Sequence, residues 1–233
     1  MTKQLKIQIW SDVACPFCYI GKRKLETALS QFEHKDAVTV EWKSYQLNPN
    51  ANYQPGANTT DYLANKYGRD RAWAESIQEN VTQLAKAEGL EYHLDKAILA
   101  DTFDAHRLSH LAKEYNLGNE FEEILFKAYF TKSLNIADKD TLIQLALEAG
   151  LPKEAAEKVL DSDAFAEEVE HDIAQAQAIG VNGVPFFVLD EKYAVSGAQH
   201  SETFLNALQK AWNEGHFESE STDADSCGID GCD

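Results

Sequence analysis

Alternation opens the chain. In LKIQIW, residues 5 to 10, apolar Leu5, Ile7 and Ile9 alternate with polar Lys6 and Gln8, the period of a strand. From Pro16 the period lengthens. Ile20, Leu25, Ala28 and Leu29 leave an apolar stripe between Tyr19, Lys22, Arg23 and Glu26, and a proline suits the first turn of a helix. VTVEWKSY, residues 38 to 45, alternates again and is rich in β-branched and aromatic residues, so a second strand closes a βαβ unit. Between about 59 and 180 the pattern is helical with short connections. NEFEEILFKAYF (119–130), KDTLIQLALEAGLP (139–152) and DAFAEEVEHDIAQAQAIG (163–180) each carry an apolar face, and the last two close on Gly150 and Gly180. Strand character returns at 184–189 and 193–196 across the polar turn Asp190–Glu191–Lys192, and a final helix covers 201–214. The order predicts an α/β domain in two halves, 1–58 and 181–214, around an inserted helical domain, 59–180.

Length changes this picture little: 233 residues suffice for such a core without disulfide or metal staples. Charge changes it more. With 21 basic and 39 acidic residues the net charge is −18, which argues against nucleic acid and anionic membrane surfaces as partners. No stretch approaches the length of a membrane span, and strand alternation begins within a few residues of Met1 in place of a secretory signal. The expectation is a cytoplasmic protein in a reducing compartment, where cysteines serve chemistry more than stapling. Residues 215–233 hold seven acids counted with Glu214 and no Lys or Arg. Such a tail has little to bury and is expected to be mobile.

That tail nevertheless carries Cys227 and Cys232, half of the cysteines; the others are Cys15 and Cys18 in CPFC. The CPFC pair sits where a strand hands over to a helix. Unpaired N–H groups and the positive helix end there favour a thiolate at Cys15, which is expected to be the open, reactive thiol, with Cys18 one turn in and shielded. Lys22 and Arg23 stand more than a turn away and add little. Packing by two small thiols is the plain alternative. Zinc is another, since C-x2-C and C-x4-C together supply four thiolates, but the second pair would plug the first permanently. His106 and His110, four apart near Asp104, have metal-ligand spacing but no obvious third ligand, and a structural role is the better reading. Asp223, Asp225 and Gly228 start a calcium-loop pattern that the chain does not complete.

Pro185, in GVPFFVL, stands at a strand entry after the helical block, where a cis bond is common. CPFC with this proline resembles the thioredoxin superfamily. The helical block narrows the resemblance to the DsbA-like group, and WSDVACPFCYIGKRKLE, SYQLNP, TFDAHRL and GVNGVPFFVLDEKYAVSGAQ are together similar to its FrnE branch, over residues 6 to about 212. The resemblance implies a thioredoxin-like domain with an inserted all-helical domain. It implies Cys15 as attacking thiol, Cys18 as resolving thiol and Pro185 as cis-proline. Val184 would pair with an extended substrate, and Pro16 and Phe17 would tune the potential. Asn48, Pro49, His106 and Arg107 fall in the neighbourhood of the site. Where relatives often have proline after SGAQ, this chain has His200. Tails ending in C-x4-C also occur in that branch, which implies a second redox pair at Cys227 and Cys232.

The implied activity is thiol–disulfide exchange with disulfide-isomerase capacity, needing no cofactor or metal. Its partners would be disulfide- or thiol-containing proteins, with glutathione or thioredoxin as electron partner. Two rivals remain. Glutathione-dependent transferases and aromatic-carboxylate isomerases share the fold but usually have serine at the first cysteine position. A non-enzymatic redox sensor holding peptides beside the proline is the other.

Overall fold

The computed structural model describes residues 3–51 and 59–214. Strand β1 (Leu5–Ser11) is central, and its alternation divides its side chains between two helical layers. Leu5, Ile7 and Ile9 enter the main core beneath α1 (Pro16–Gln31) and α9 (Ser201–Glu214). Lys6, Gln8 and Trp10 face the other side. Strand β2 (Val38–Ser44) runs parallel to β1 with Gln8 opposite Glu41 and Trp10 opposite Lys43. A short 3₁₀ turn, Lys35–Ala37, leads into it. Strand β3 (Phe186–Leu189) pairs antiparallel with β1, and β4 (Tyr193–Ser196) with β3, giving the order β2-β1-β3-β4.

Seven helices lie between β2 and β3 among the described residues. They are α2 (Thr59–Tyr67), α3 (Arg71–Ala87), α4 (Phe103–Glu114), α5 (Gly118–Phe130), α6 (Lys139–Glu148), α7 (Lys153–Leu160) and α8 (Ala166–Ala178). Helix α5 joins its Phe121, Leu125 and Phe126 to Trp42 of β2 and Tyr19 of α1, so inserted helices and sheet share one core. Helix α8 covers the opposite face. The Trp10 indole donates to the Asp172 carbonyl at 2.9 Å, and the Asp172 carboxylate accepts from Lys43 at 2.8 Å and the Ser44 amide at 3.0 Å. Lys43 and Ser44 of β2 thus meet a buried carboxylate, while Lys6 and Gln8 of β1 meet Glu41. Burial would raise the Asp172 pKa, but His110, Lys43 and the Ser44 amide override it and hold it at about 2.

Helix α6 closes on Gly150 as read: Gly150 takes a φ of +93°, Leu151 N–H reaches back to Ala146 at 2.9 Å, and Pro152 caps the separate helix α7. Two boundaries depart from the sequence pattern. The helix expected from 163 begins at Ala166, because Phe165 adopts a left-handed φ of +64° and lays its ring on His110. The strand expected from Val184 pairs only from Phe186, since Val184 and Pro185 form the loop before it. The 190–192 turn is as read, with Asp190 and Glu191 at φ of +52° and +57°. No described helix is long and apolar enough to cross a membrane.

Candidate active site

The turn between β1 and α1 is built by backbone. Cys15 N–H donates to the Asp12 carbonyl at 2.9 Å and Cys18 N–H to the Cys15 carbonyl at 3.0 Å. Cys15 is the extended N-cap residue of α1 and Pro16 opens the helix, so the first sulfur stands at the helix mouth. Both thiols are free. Cys18 lies one turn in and is 1% exposed. Burial, then the neighbouring Cys15, pushes its thiol well above the ordinary range, and the Ser11 hydroxyl and Asp12 backbone oppose that only partly.

The Val184–Pro185 peptide bond is cis. Its loop lies directly over the dithiol: the Cys15 thiol donates to the Val184 carbonyl at 3.4 Å. This corrects the expectation of an open Cys15, which is only 3% exposed because Val184 covers it. Phe17, by contrast, is 40% exposed at the rim. The loop is seated from below by Gly21, where a Cβ would come within 3.0 Å of the Pro185 ring and 3.1 Å of Phe187. On its far side Gly197 N–H donates to the Pro185 carbonyl at 2.8 Å. Tyr92, supplied from the stretch after α3, donates its hydroxyl to the Pro16 carbonyl at 2.7 Å and stacks in an aromatic column with Tyr19 and Phe130.

Cys15, Pro16, Phe17 and Val184 form one wall of a cleft of about 530 Å³. Leu47 and Asn48 stand beside them, and Tyr62, Tyr67, Trp73 and Ile77 of α2 and α3 face them across the gap. The lining is apolar and aromatic, with the Cys15 thiol at one wall. Such a cleft can hold an apolar chain segment with its sulfur against Cys15.

The remaining sequence candidates separate in space. Asn48 lines the cleft; Pro49 is exposed and does not. His106 is buried behind the site, with Nε2 3.7 Å from the Asp12 carboxylate. Arg107, its sequence neighbour, points away from the site. It donates to the carbonyls of Val159, Ser162 and Ala164 at the end of α7, and pairs with Asp104 at 2.8 Å. Placing Arg107 near the dithiol is therefore corrected. Its reach follows from the helix period, since consecutive residues point about 100° apart. His110 belongs to Asp172 at 3.2 Å and Ser44 at 3.2 Å, so the two histidines serve different carboxylates. Lys22 and Arg23 are neutralised by Glu26 and Glu123. Burial would raise Glu123, but hydrogen bonds from Arg23, Lys22 and Tyr19 hold it at about 2. Cys227 and Cys232 lie outside the described residues. Sequence reasoning missed Asp12, Gly21 and Tyr92; only Gly21 left a signal, a glycine inside a helical pattern.

A probable DsbA oxidoreductase from Streptomyces coelicolor is 39% identical in sequence and superposes with a TM-score of 0.87 over 99% of both chains. The cytosolic disulfide reductase DsbM of Pseudomonas aeruginosa shares the fold, with a TM-score of 0.64 at 14% identity over 89% of this chain and 98% of its own. An uncharacterized protein of Bacillus subtilis (strain 168), YwbO, is 29% identical over 204 residues, 87% of this chain and 94% of its own. Residues 6–209, which include the dithiol turn, the cis-proline loop and every helix between them, match the model of the DSBA-like thioredoxin domain, and the chain belongs to that family.

Proposed function

We propose that the chain is a thiol–disulfide oxidoreductase with disulfide-isomerase capacity, of the FrnE branch and acting in the cytoplasm. One observation carries the reading: Cys15 at the mouth of α1 lies 3.4 Å from the carbonyl of the residue before a cis-proline, at the wall of an apolar cleft. The Cys15 thiolate attacks one sulfur of a substrate disulfide, and the other sulfur leaves as a thiolate and takes up a proton. Cys18 then loses its proton and attacks the Cys15 sulfur. The Cys15–Cys18 disulfide forms, the second substrate thiol departs, and two electrons have passed from dithiol to substrate. Oxidation of a substrate dithiol is the reverse. In isomerisation a second substrate thiol displaces Cys15 and no electrons are lost.

In this reading residues 1–58 and 181–214 hold the redox chemistry, and the inserted residues 59–180 form the far wall for the substrate. Pro185 sets the loop, Val184 offers backbone to an extended chain, and Pro16 and Phe17 tune the couple. Glutathione or thioredoxin is the electron partner, and Cys227 and Cys232 form a second pair that exchanges with the first. Two cysteines at the helix mouth disfavour the serine-type transferase and isomerase chemistry of the same fold.

Insulin reduction with dithiothreitol and refolding of scrambled ribonuclease test the reading. Cys15→Ser is expected to abolish both, and Cys18→Ser to accumulate mixed disulfides visible by mass spectrometry. Full turnover by Cys18→Ser with no trapped adduct would overturn the two-cysteine mechanism. Unchanged rates in Cys227→Ser/Cys232→Ser would remove the second pair from it.

A further inference from the structure

Behind the dithiol turn lies a buried chain of ionisable groups that the exchange chemistry above does not use. Asp12, three residues before Cys15, is 2% exposed. Its carboxylate accepts from the Ala14 amide at 3.2 Å and from the Leu47 amide at 2.7 Å, tying the turn that carries Cys15 to the segment lining the adjacent cleft wall. Its carbonyl accepts the Cys15 amide, and its backbone with the Ser11 side chain adjoins the Cys18 sulfur. A carboxylate so desolvated needs a counter-charge. Facing it is His106 of α4, 2% exposed, with Nε2 at 3.7 Å. Beyond it Glu122 of α5, 3% exposed, takes the Ser109 hydroxyl at 2.7 Å on one oxygen. His106 Nε2 and the other Glu122 oxygen have no hydrogen-bond partner, although buried side-chain polar atoms almost always do.

We propose that His106 is a positioning residue for the dithiol: as an imidazolium it compensates the Asp12 carboxylate and so sets the Cys15–Cys18 equilibrium. The inference rests on the reading of Cys15 and Cys18 as a redox couple. Asp12 faces His106 from the β1–α1 turn, Glu122 and the neutral Tyr129 lie on α5, and the Tyr45 backbone follows β2. Burial pushes the Glu122 carboxyl up, and His106, the Ser109 hydroxyl, Lys113 and Lys22 oppose that only partly. Burial alone would lower the His106 pKa; the Asp12 contact and the charge of Glu122 override it and raise it from 6.5. The imidazolium is therefore present below the raised value and lost as pH rises through it. With the charge gone, Asp12 is uncompensated, and the turn between the two sulfurs and the cleft wall feels the change. Linkage makes the effect reciprocal: if His106 biases the dithiol, closing the disulfide must shift the titration of His106.

The test is the equilibrium constant of the Cys15–Cys18 couple against glutathione, measured from pH 5 to 9 in the parent and in His106→Gln. A charge one residue layer behind the sulfurs is worth on the order of tenfold at the effective dielectric of protein sites. The two proteins should differ by about that factor at the acid end of the range and converge as pH rises past the His106 midpoint, which titration of its ring protons locates. Parallel curves over the whole range, even with a lowered melting temperature, would make His106 a packing residue and overturn the proposal. The parent alone supplies a second measurement that needs no variant to fold. His106 should titrate, by NMR of its ring protons, with different midpoints in the reduced and oxidised forms; equal midpoints would sink the idea. A parent whose Cys15 and Cys18 form no disulfide in any glutathione buffer would instead refute the redox reading on which this rests.

Discussion

Gly21→Ala tests whether the cis-proline loop is held on α1 by contact. An alanine inside a helix ordinarily gains about 1 kcal/mol over glycine. Here its methyl would meet the Pro185 ring at 3.0 Å and the Phe187 ring at 3.1 Å. Phe187 is fully buried against Phe204, at 4.6 Å between ring centroids, so it has no room to retreat. Overpacking of this kind costs about 1–3 kcal/mol. The sum is a net loss of up to about 2 kcal/mol, or a fall in melting temperature of about 2–4 °C per kcal/mol for a chain of this size. Pro185 is the softer neighbour, and moving it carries the Val184 carbonyl off the Cys15 sulfur. Alkylation of Cys15 by iodoacetamide should therefore quicken. Urea unfolding of the reduced protein gives the stability, and Phe187→Leu in the same background should recover part of it as a favourable coupling. A Gly21→Ala protein about 1 kcal/mol more stable than the parent, with unchanged alkylation, would refute the contact.

Two further outcomes follow from the ionic contacts. Asp172, held at about 2 against an ordinary 3.8, contributes about 2 kcal/mol that is present above pH 4 and lost as pH falls through 2. Asp172→Asn should therefore be less stable than the parent at pH 7 by at least that amount, and urea midpoints measured down to pH 2 should converge. Arg107→Lys should lose about 2–3 kcal/mol, because an ammonium cannot reproduce the fork that meets the Val159, Ser162 and Ala164 carbonyls. The glutathione equilibrium of Cys15–Cys18 should stay within about twofold of the parent; a larger change would return Arg107 to the site.

What the sequence made legible was whatever repeats at short range. The alternation of LKIQIW and VTVEWKSY placed β1 and β2 within a residue or so, because each strand's two faces meet different partners. CPFC after a strand placed the dithiol for the same local reason: the turn is closed by its own backbone. Long-range contacts were not legible. Nothing in the pattern near Tyr92 says that its hydroxyl meets Pro16, 76 residues earlier. Nor does TFDAHRL show that His106 meets Asp12 while Arg107 meets the carbonyls of Val159, Ser162 and Ala164. Phe165 was read as helical because its apolar side chain fits the stripe. Its backbone is left-handed because the ring packs on His110, a contact made only in the folded chain.

The burial of Cys15 restricts how a substrate can arrive. Its sulfur is covered by the Val184 carbonyl, to which its own thiol donates, so that hydrogen bond must be given up before or during attack. Giving it up leaves a buried carbonyl acceptor beside the reacting sulfur, which costs about 1–3 kcal/mol if nothing replaces the donor. A substrate that brings a backbone N–H to Val184 as it brings sulfur to Cys15 avoids that cost, whereas a bare small thiol does not. The apolar lining from Phe17 across to Tyr62, Trp73 and Ile77 adds to the same preference, since burying an apolar side chain there contributes about 25 cal/mol per Å² of apolar surface. Both terms favour an extended chain with apolar flanks over a small polar disulfide. If Cys15 is the attacking thiol, as proposed, the cis-proline loop would select the substrate as well as cover the sulfur.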